Sequence, residues 1–210
     1  MMANDGFAAD SALKSLPDRI ALKRVLDIAL ASFALVLLAP LLLLIAAVIR
    51  ATSPGPALFR QWRHGLLGTP FLILKFRTLP YPGTTFEQID IEDPRLTPIG
   101  RWLRRSRLDE LPQFWNVLRG EMSLVGPRPH ALAHGDELAA LASGYHQRHW
   151  VRPGMTGLAQ VEGCRGPIRS PEHLTRRLEL DLAYIRDWSL RGDLAILLRT
   201  PCLWFRPDPP

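Results

Sequence analysis

Cysteine is nearly absent: Cys164 and Cys202 are the only two in 210 residues, and they show no Cys-x-x-Cys spacing. Neither a disulfide framework nor a cysteine-built zinc site is indicated, and two free thiols suit a reducing compartment. Lysine is almost as scarce. Lys14, Lys23 and Lys75 are the whole complement, so the positive charge behind the +6 balance is nearly all arginine. Arginine is the better bidentate phosphate ligand, which favours a phosphate-rich partner; a genome that favours arginine codons gives the same bias. There is no internal repeat, no low-complexity run, and no helix-turn-helix or RNP pattern, so nucleic acid is not expected as a partner. With 47% hydrophobic residues and a mean hydropathy of +0.02, the chain fits neither a polytopic membrane protein nor a disordered one.

Charge of either sign is missing from Ile28 to Ile49, a block of 22 residues. As a straight helix such a block measures roughly 33 Å, enough for a bilayer core. It does not read as a signal peptide, because a long mixed-charge stretch precedes it and no small-residue cleavage site follows. Pro40 lies in its middle, where proline deletes a backbone hydrogen bond and pushes away the carbonyl of Val36. Basic residues flank both ends: Arg19, Lys23 and Arg24 before, Arg50, Arg60 and Arg63 after. Such flanks mark the cytoplasmic side, so both ends are expected on one face of the membrane. A re-entrant helix–break–helix turning at Pro40 satisfies both features, and a proline-kinked span is the alternative.

The chain then divides into a weakly patterned lead-in (1–22), the membrane hairpin (23–51) and a cytoplasmic domain (52–210). Apolar-aromatic runs at Ala57–Trp62 and Phe71–Phe76, either side of a glycine-containing link, predict a β-hairpin. Residues 80–94 read as an acidic loop and 98–118 as helical. Pro127, Arg128 and Pro129 break the chain before a helix over His130–Tyr145. Residues 151–168 read as loop with a short strand at Leu158–Val161. Amphipathic helices at Glu172–Trp188 and Asp193–Trp204, suited to a membrane interface, close the chain. The fold class expected is mainly α with a small β-hairpin, an α+β arrangement on a monotopic membrane protein.

The densest chemical signal runs from Arg101 to Asn116. Pro112 is tolerated in a helix only near its start, so a helix is expected to begin at or just before Asp109. The dyad Asp109-Glu110 would then occupy a first turn, where unpaired N–H groups favour anions. Ordinary first-turn acids give the same pattern. Arg128 sits between two prolines on stiff backbone, suited to holding a guanidinium against phosphate, and Lys75-Phe-Arg-Thr78 adds two cations. His130 and His134 have the i, i+4 spacing of helical metal ligands, but no glutamate follows in the zincin pattern.

Together these stretches resemble the bacterial sugar transferase family, the monotopic phosphoglycosyl transferases, from about Lys23 to Phe205. The resemblance rests on Lys23-Arg-Val-Leu-Asp27, Pro40, Pro54-Gly-Pro56, Lys75-Phe-Arg-Thr78 and Asp93-Pro-Arg-Leu-Thr-Pro-Ile-Gly100. It continues through Arg107-Leu-Asp-Glu-Leu-Pro-Gln-Phe-Trp-Asn-Val117, Met122-Ser-Leu-Val-Gly-Pro-Arg-Pro129 and Arg152-Pro-Gly-Met-Thr-Gly157. His130-Ala-Leu-Ala-His134 is most similar to the undecaprenyl-phosphate glucose phosphotransferases of exopolysaccharide synthesis. The extra N-terminal helices of longer members are not present, so a minimal catalytic form is expected. The resemblance implies an enzyme at the cytoplasmic face of a bacterial inner membrane, in contact with membrane lipid. It implies transfer of hexose 1-phosphate from a UDP-sugar, UDP-glucose or UDP-galactose, to polyprenyl phosphate with release of UMP. Asp109 is implied as nucleophile and Glu110 as a Mg²⁺ ligand, with Lys75, Arg77, Arg104 and Arg128 as phosphate clamps. A homodimer is an open option.

Overall fold

A computed structural model describes residues 5–82, 93–168 and 170–205. Helix α1 (Asp5–Thr52) leads into a hairpin of β1 (Leu58–His64) and β2 (Pro70–Phe76). Next come α2 (Pro98–Arg105), α3 (Gln113–Leu118), β3 (Ser123–Val125) and α4 (Gly135–Leu141). Strand β4 (Gly154–Thr156) and helices α5 (Leu158–Val161), α6 (Pro171–Arg186) and α7 (Leu190–Arg199) follow. The protein is mainly helical with a small antiparallel hairpin, as the residue patterns predict. Strands β1 and β2 pair from Leu58 opposite Phe76 to His64 opposite Pro70. The acidic loop expected at 80–94 lies mostly outside the described residues.

Several boundaries differ from expectation. The strand expected at Leu158–Val161 is helix α5, and the strand comes one step earlier, as β4. A four-residue apolar run cannot distinguish the two by periodicity. Here β4 pairs in parallel with β3, Ser123 opposite Gly154 and Val125 opposite Thr156. The helix expected over 98–118 is divided. Helix α2 ends at Arg105, Arg107 adopts a left-handed φ of 57°, and one 3₁₀ turn, Leu108–Glu110, precedes α3 with Pro112 at its N-cap. The stretch His130–Tyr145 likewise contributes only α4 and a 3₁₀ turn at Leu132–His134.

Glycines let backbones meet at β3 and β4. A Cβ on Gly154 would stand 2.1 Å from the amide nitrogen of Gly126 and 2.4 Å from the Thr156 carbonyl oxygen. Both contacts are backbone, so neither can swing aside. Gly154→Ala is therefore expected to destabilise the fold by about 3 kcal/mol or more, read as a lowered melting temperature.

Helix α1 runs unbroken through Pro40 and takes in the residues from Asp5 onward that were expected as a separate lead-in. One proline removes one hydrogen bond, while the Leu- and Ala-rich turns on either side strongly favour helix. The helix is tied to the rest of the chain on both sides of Pro40. Before it, Lys23 Nζ donates to the Val125 carbonyl at 3.1 Å and pairs with Asp193 at 2.6 Å. Arg24 donates to the carbonyls of Val117 and Leu118 at 2.6 and 2.8 Å, closing the C-terminus of α3. Asp27 accepts from the Leu124 amide, and Ala31 is buried in the main core with Val117, Met122 and Val125. After Pro40, Ile45 and Ile49 are buried against Phe76 and Leu103. Between these anchors Phe33, Val36 and Leu37 are exposed. Lys23 and Arg24, which the flank rule counts as topology signals, are thus internal ties.

Candidate active site

The site is assembled where β2, the 108–110 turn and the Pro127–Pro129 stretch converge. Asn116 fixes their relation. Its Oδ1 accepts from the Leu74 amide at 2.9 Å and its Nδ2 donates to the Leu72 carbonyl at 2.7 Å. The side chain therefore docks α3 on the edge of β2 as a neighbouring strand would. That sets the turn carrying Asp109 and Glu110 beside Lys75. Gly100 serves the same end, since α2 approaches Thr78 so closely that a Cβ there would lie 2.1 Å from its carbonyl oxygen.

The two acids face different surroundings. Asp109 is buried, and desolvation raises its carboxyl to about 6 against the pull of Lys75. Glu110 is the opposite case. Burial pushes it up, but Arg128 and Lys75 outweigh that and hold it well below the usual carboxylate range. Lys75 Nζ pairs with Glu110 Oε1 at 2.6 Å, and Arg128 grips the same carboxylate with both terminal nitrogens, Nη1 lying 3.1 Å from Oε2. The Lys75 ammonium is itself lowered by desolvation, against the attraction of Glu110. One carboxylate is thus neutralised by two cations, and the other is poised to titrate near neutrality. Two acids pushed apart in this way are suited to different chemical roles. The dyad sits in a single 3₁₀ turn rather than in the first turn of a long helix, so burial and charge set its properties.

Both acids line a pocket of about 900 Å³ that reaches from Ala46 and Arg50 of α1 to Arg177 of α6. Each cation predicted from the sequence lines it: Lys75, Arg77, Arg104 and Arg128. Their commitments differ. Arg77 is buried and donates to the carbonyls of Ser53 and Pro56 and to the Ser53 hydroxyl, at 2.8–3.0 Å. It fastens the end of α1 to β2, so its first role is to hold the pocket wall. Arg104 Nε donates to Thr78 Oγ1 at 3.3 Å. His130 and His134 do not face one another as ligands. His130 is buried against Tyr145 and Arg148, and His134 lies 3.7 Å from Glu137.

Sequence reasoning missed an inner layer. Arg148 is buried, pairs with Asp181 at 2.7 Å and donates to the carbonyl of Arg128 at 2.8 Å. No local motif joins residues 33 positions apart. Only the burial of α6 against the 145–150 turn brings them together.

A pocket crowded with arginine, closed at one end by an apolar helix and holding a buried carboxylate, suits phosphoryl chemistry on a substrate near a lipid surface. The family model described as bacterial sugar transferase matches residues 18–207. A UDP-glucose:undecaprenyl-phosphate glucose-1-phosphate transferase of Caulobacter vibrioides is 53% identical over 180 residues, covering 85% of this chain and 67% of that protein. The Escherichia coli protein of the same name is 48% identical, and this chain spans 39% of its length. An exopolysaccharide production protein of Rhizobium leguminosarum is 44% identical over 94% of its own length. With the match running from the foot of α1 past the end of α7, the chain belongs to the bacterial sugar transferase family.

Proposed function

We propose that this protein moves hexose 1-phosphate from a UDP-sugar to polyprenyl phosphate at the cytoplasmic face of a bacterial inner membrane, initiating exopolysaccharide assembly. The observation that carries the reading is Asp109, a buried carboxylate facing a cation-lined pocket that abuts an apolar helix. Its oxygen attacks the β-phosphorus, the bond from that phosphorus to the bridging oxygen breaks, and UMP departs. The aspartyl phosphosugar left behind is attacked by a polyprenyl phosphate oxygen, which forms the diphosphate and returns the Asp109 carboxylate. Lys75, Arg104 and Arg128 line the pocket and are the clamps for charge on the phosphoryl oxygens. UDP-glucose is the favoured donor, because two of the relatives named above, those of Caulobacter vibrioides and Escherichia coli, are called glucose-1-phosphate transferases. Release of UMP from UDP-glucose that depends on polyprenyl phosphate tests the whole reading. Its absence across a panel of UDP-sugars would sink it.

Glu110 is the residue suited to Mg²⁺. Its carboxylate offers hard oxygens beside Asp109, and Mg²⁺ usually takes one or two carboxylates together with substrate phosphates. No group of three or more metal-binding side chains occurs among the described residues, so the remaining ligands would come from substrate and water. Bound there, the ion would neutralise phosphate charge. For Glu110 to hold it, Lys75 and Arg128, which now grip the carboxylate, would have to release it to the ion and turn to the phosphates. Glu110→Gln is expected to lower activity at least tenfold and to raise the Mg²⁺ needed for half-maximal rate, measured by titration of UMP release. Full turnover of the wild type in excess chelator would refute the metal.

The ties on α1 support a membrane segment with both ends on the cytoplasmic face. Lys23 and Asp27 on one side of Pro40, and Ile45 and Ile49 on the other, contact the same domain. Ties to one domain on either side of Pro40 support a segment that enters and leaves on one face. Cysteines introduced near residues 10 and 60 are expected to resist an impermeant reagent from the periplasmic side. Labelling at residue 10 alone would mean a true span.

A further inference from the structure

Most cations on the pocket wall are committed to the protein itself. Lys75 and Arg128 grip Glu110, and Arg77 is fastened to Ser53 and Pro56. Arg63, Arg165 and Arg177 donate to the carbonyls of Pro129, Leu203 and Gly166. Arg50 differs. It lines the same pocket and is exposed, and its side chain makes no ion pair or hydrogen bond with any described residue.

Its place along the chain is specific. Arg50 is the first charge after the uncharged block that ends at Ile49. Ile49 is buried against Phe76 and Leu103, so this turn of α1 is fixed to the domain that carries the pocket. An apolar membrane segment ends where the hydrocarbon ends, which sets Arg50 at the level of the lipid phosphates. One turn earlier, on the same side of α1, Ala46 also lines the pocket. The wall therefore passes from apolar to cationic within one helical turn, at the depth where a lipid passes from chain to phosphate. A phosphate monoester carries close to two negative charges at neutral pH, against one for the diester of a membrane phospholipid. The monoester is thus the stronger ligand for a lone guanidinium.

We propose that Arg50 captures the lipid acceptor, drawing the monoester phosphate of polyprenyl phosphate from the bilayer surface into the pocket that holds Asp109. The assignment rests on the function proposed above and gives it a residue on the acceptor side. It is distinct from Lys75, Arg104 and Arg128, the clamps on the transferring phosphoryl group. A residue that captures the acceptor acts on the encounter with lipid and not on the attack of Asp109, so the two substrates should report it differently.

Steady-state UMP release by the full chain in lipid nanodiscs, each substrate varied while the other saturates, tests this. Arg50→Gln should lower kcat/KM for polyprenyl phosphate about tenfold or more, chiefly through KM, the cost of losing a hydrogen bond to a charged group. The kcat/KM for UDP-glucose and the melting temperature should stay near wild type. Arg50→Lys, which keeps the charge, should recover most of the loss. The whole effect should be present in discs of neutral phosphatidylcholine. A loss that appears only in discs containing phosphatidylglycerol would overturn the proposal and leave Arg50 as an anchor on anionic lipid. Equal losses for both substrates, or none for either, would overturn it as well. Wild-type protein that released no UMP from any UDP-sugar would instead overturn the function on which the assignment rests.

Discussion

Asp109→Asn is expected to abolish turnover while making the protein more stable. The two effects have one cause. Desolvation raises the Asp109 carboxyl from its ordinary value to about 6, so the folded protein holds this proton to higher pH than the unfolded chain does. Folding therefore costs more as pH rises from about 4 to about 6, and above that the penalty is complete. Asparagine removes the charge and with it a penalty of up to about 3 kcal/mol, or several degrees in melting temperature at pH 7.5 without added divalent cation. At pH 4 the gain should vanish. The same titration predicts that wild-type activity falls as pH drops through about 6, because only the ionised carboxylate is a nucleophile. Wild-type protein given UDP-glucose without lipid should gain the mass of one hexose phosphate on the peptide containing Asp109, and the variant should gain none. Kinetics that demand a ternary complex, with no adduct trapped, would reduce Asp109 to a binding residue.

Arg148→Met should be the most damaging single change to stability. The guanidinium and the Asp181 carboxylate are only 2% and 3% exposed. Asp181 draws the Arg148 proton tighter, yet burial still pushes the Asp181 carboxyl up despite Arg148. The pair is thus near balance as a unit, and removing one member leaves a buried charge. The expected loss is about 3–5 kcal/mol. Arg148→Met combined with Asp181→Leu should recover much of it in a chemical denaturation series. Activity should not return with stability, because Arg148 also donates to the Arg128 carbonyl and to His130. Recovery of both together would show that Arg148 only holds the fold.

What the sequence disclosed depended on how local each signal was. The hairpin, the amphipathic α6 and α7, the apolar helix and the dyad all announce themselves within a few neighbouring residues. Lys75 and Arg128 were legible as phosphate-binding cations but not as partners of Glu110, on which the structure sets both. Arg77 was legible as a cation but not as a fastener, because its partners Ser53 and Pro56 lie on another segment. The division of 98–118 turns on a left-handed arginine at position 107, a conformation that no propensity for arginine foretells. Arg148, Asp181, Asn116 and Arg177 matter through contacts between distant segments, which no window along the chain contains.

The clasp on α1 at Lys23 and Ala31 has a consequence for how the protein is made. Lys23 is joined to Asp193, 170 positions later, and Ala31 shares its core with Ile196 and Leu203. Residues 23–31 leave the ribosome before Asp193, Ile196 and Leu203, which help to bind them, are synthesised. Contacts so distant in sequence form late. The apolar segment must therefore reach the lipid first and wait there with Lys23, Arg24 and Asp27 still hydrated. The bilayer thus acts as a holding place for one half of a core whose other half has not yet been translated.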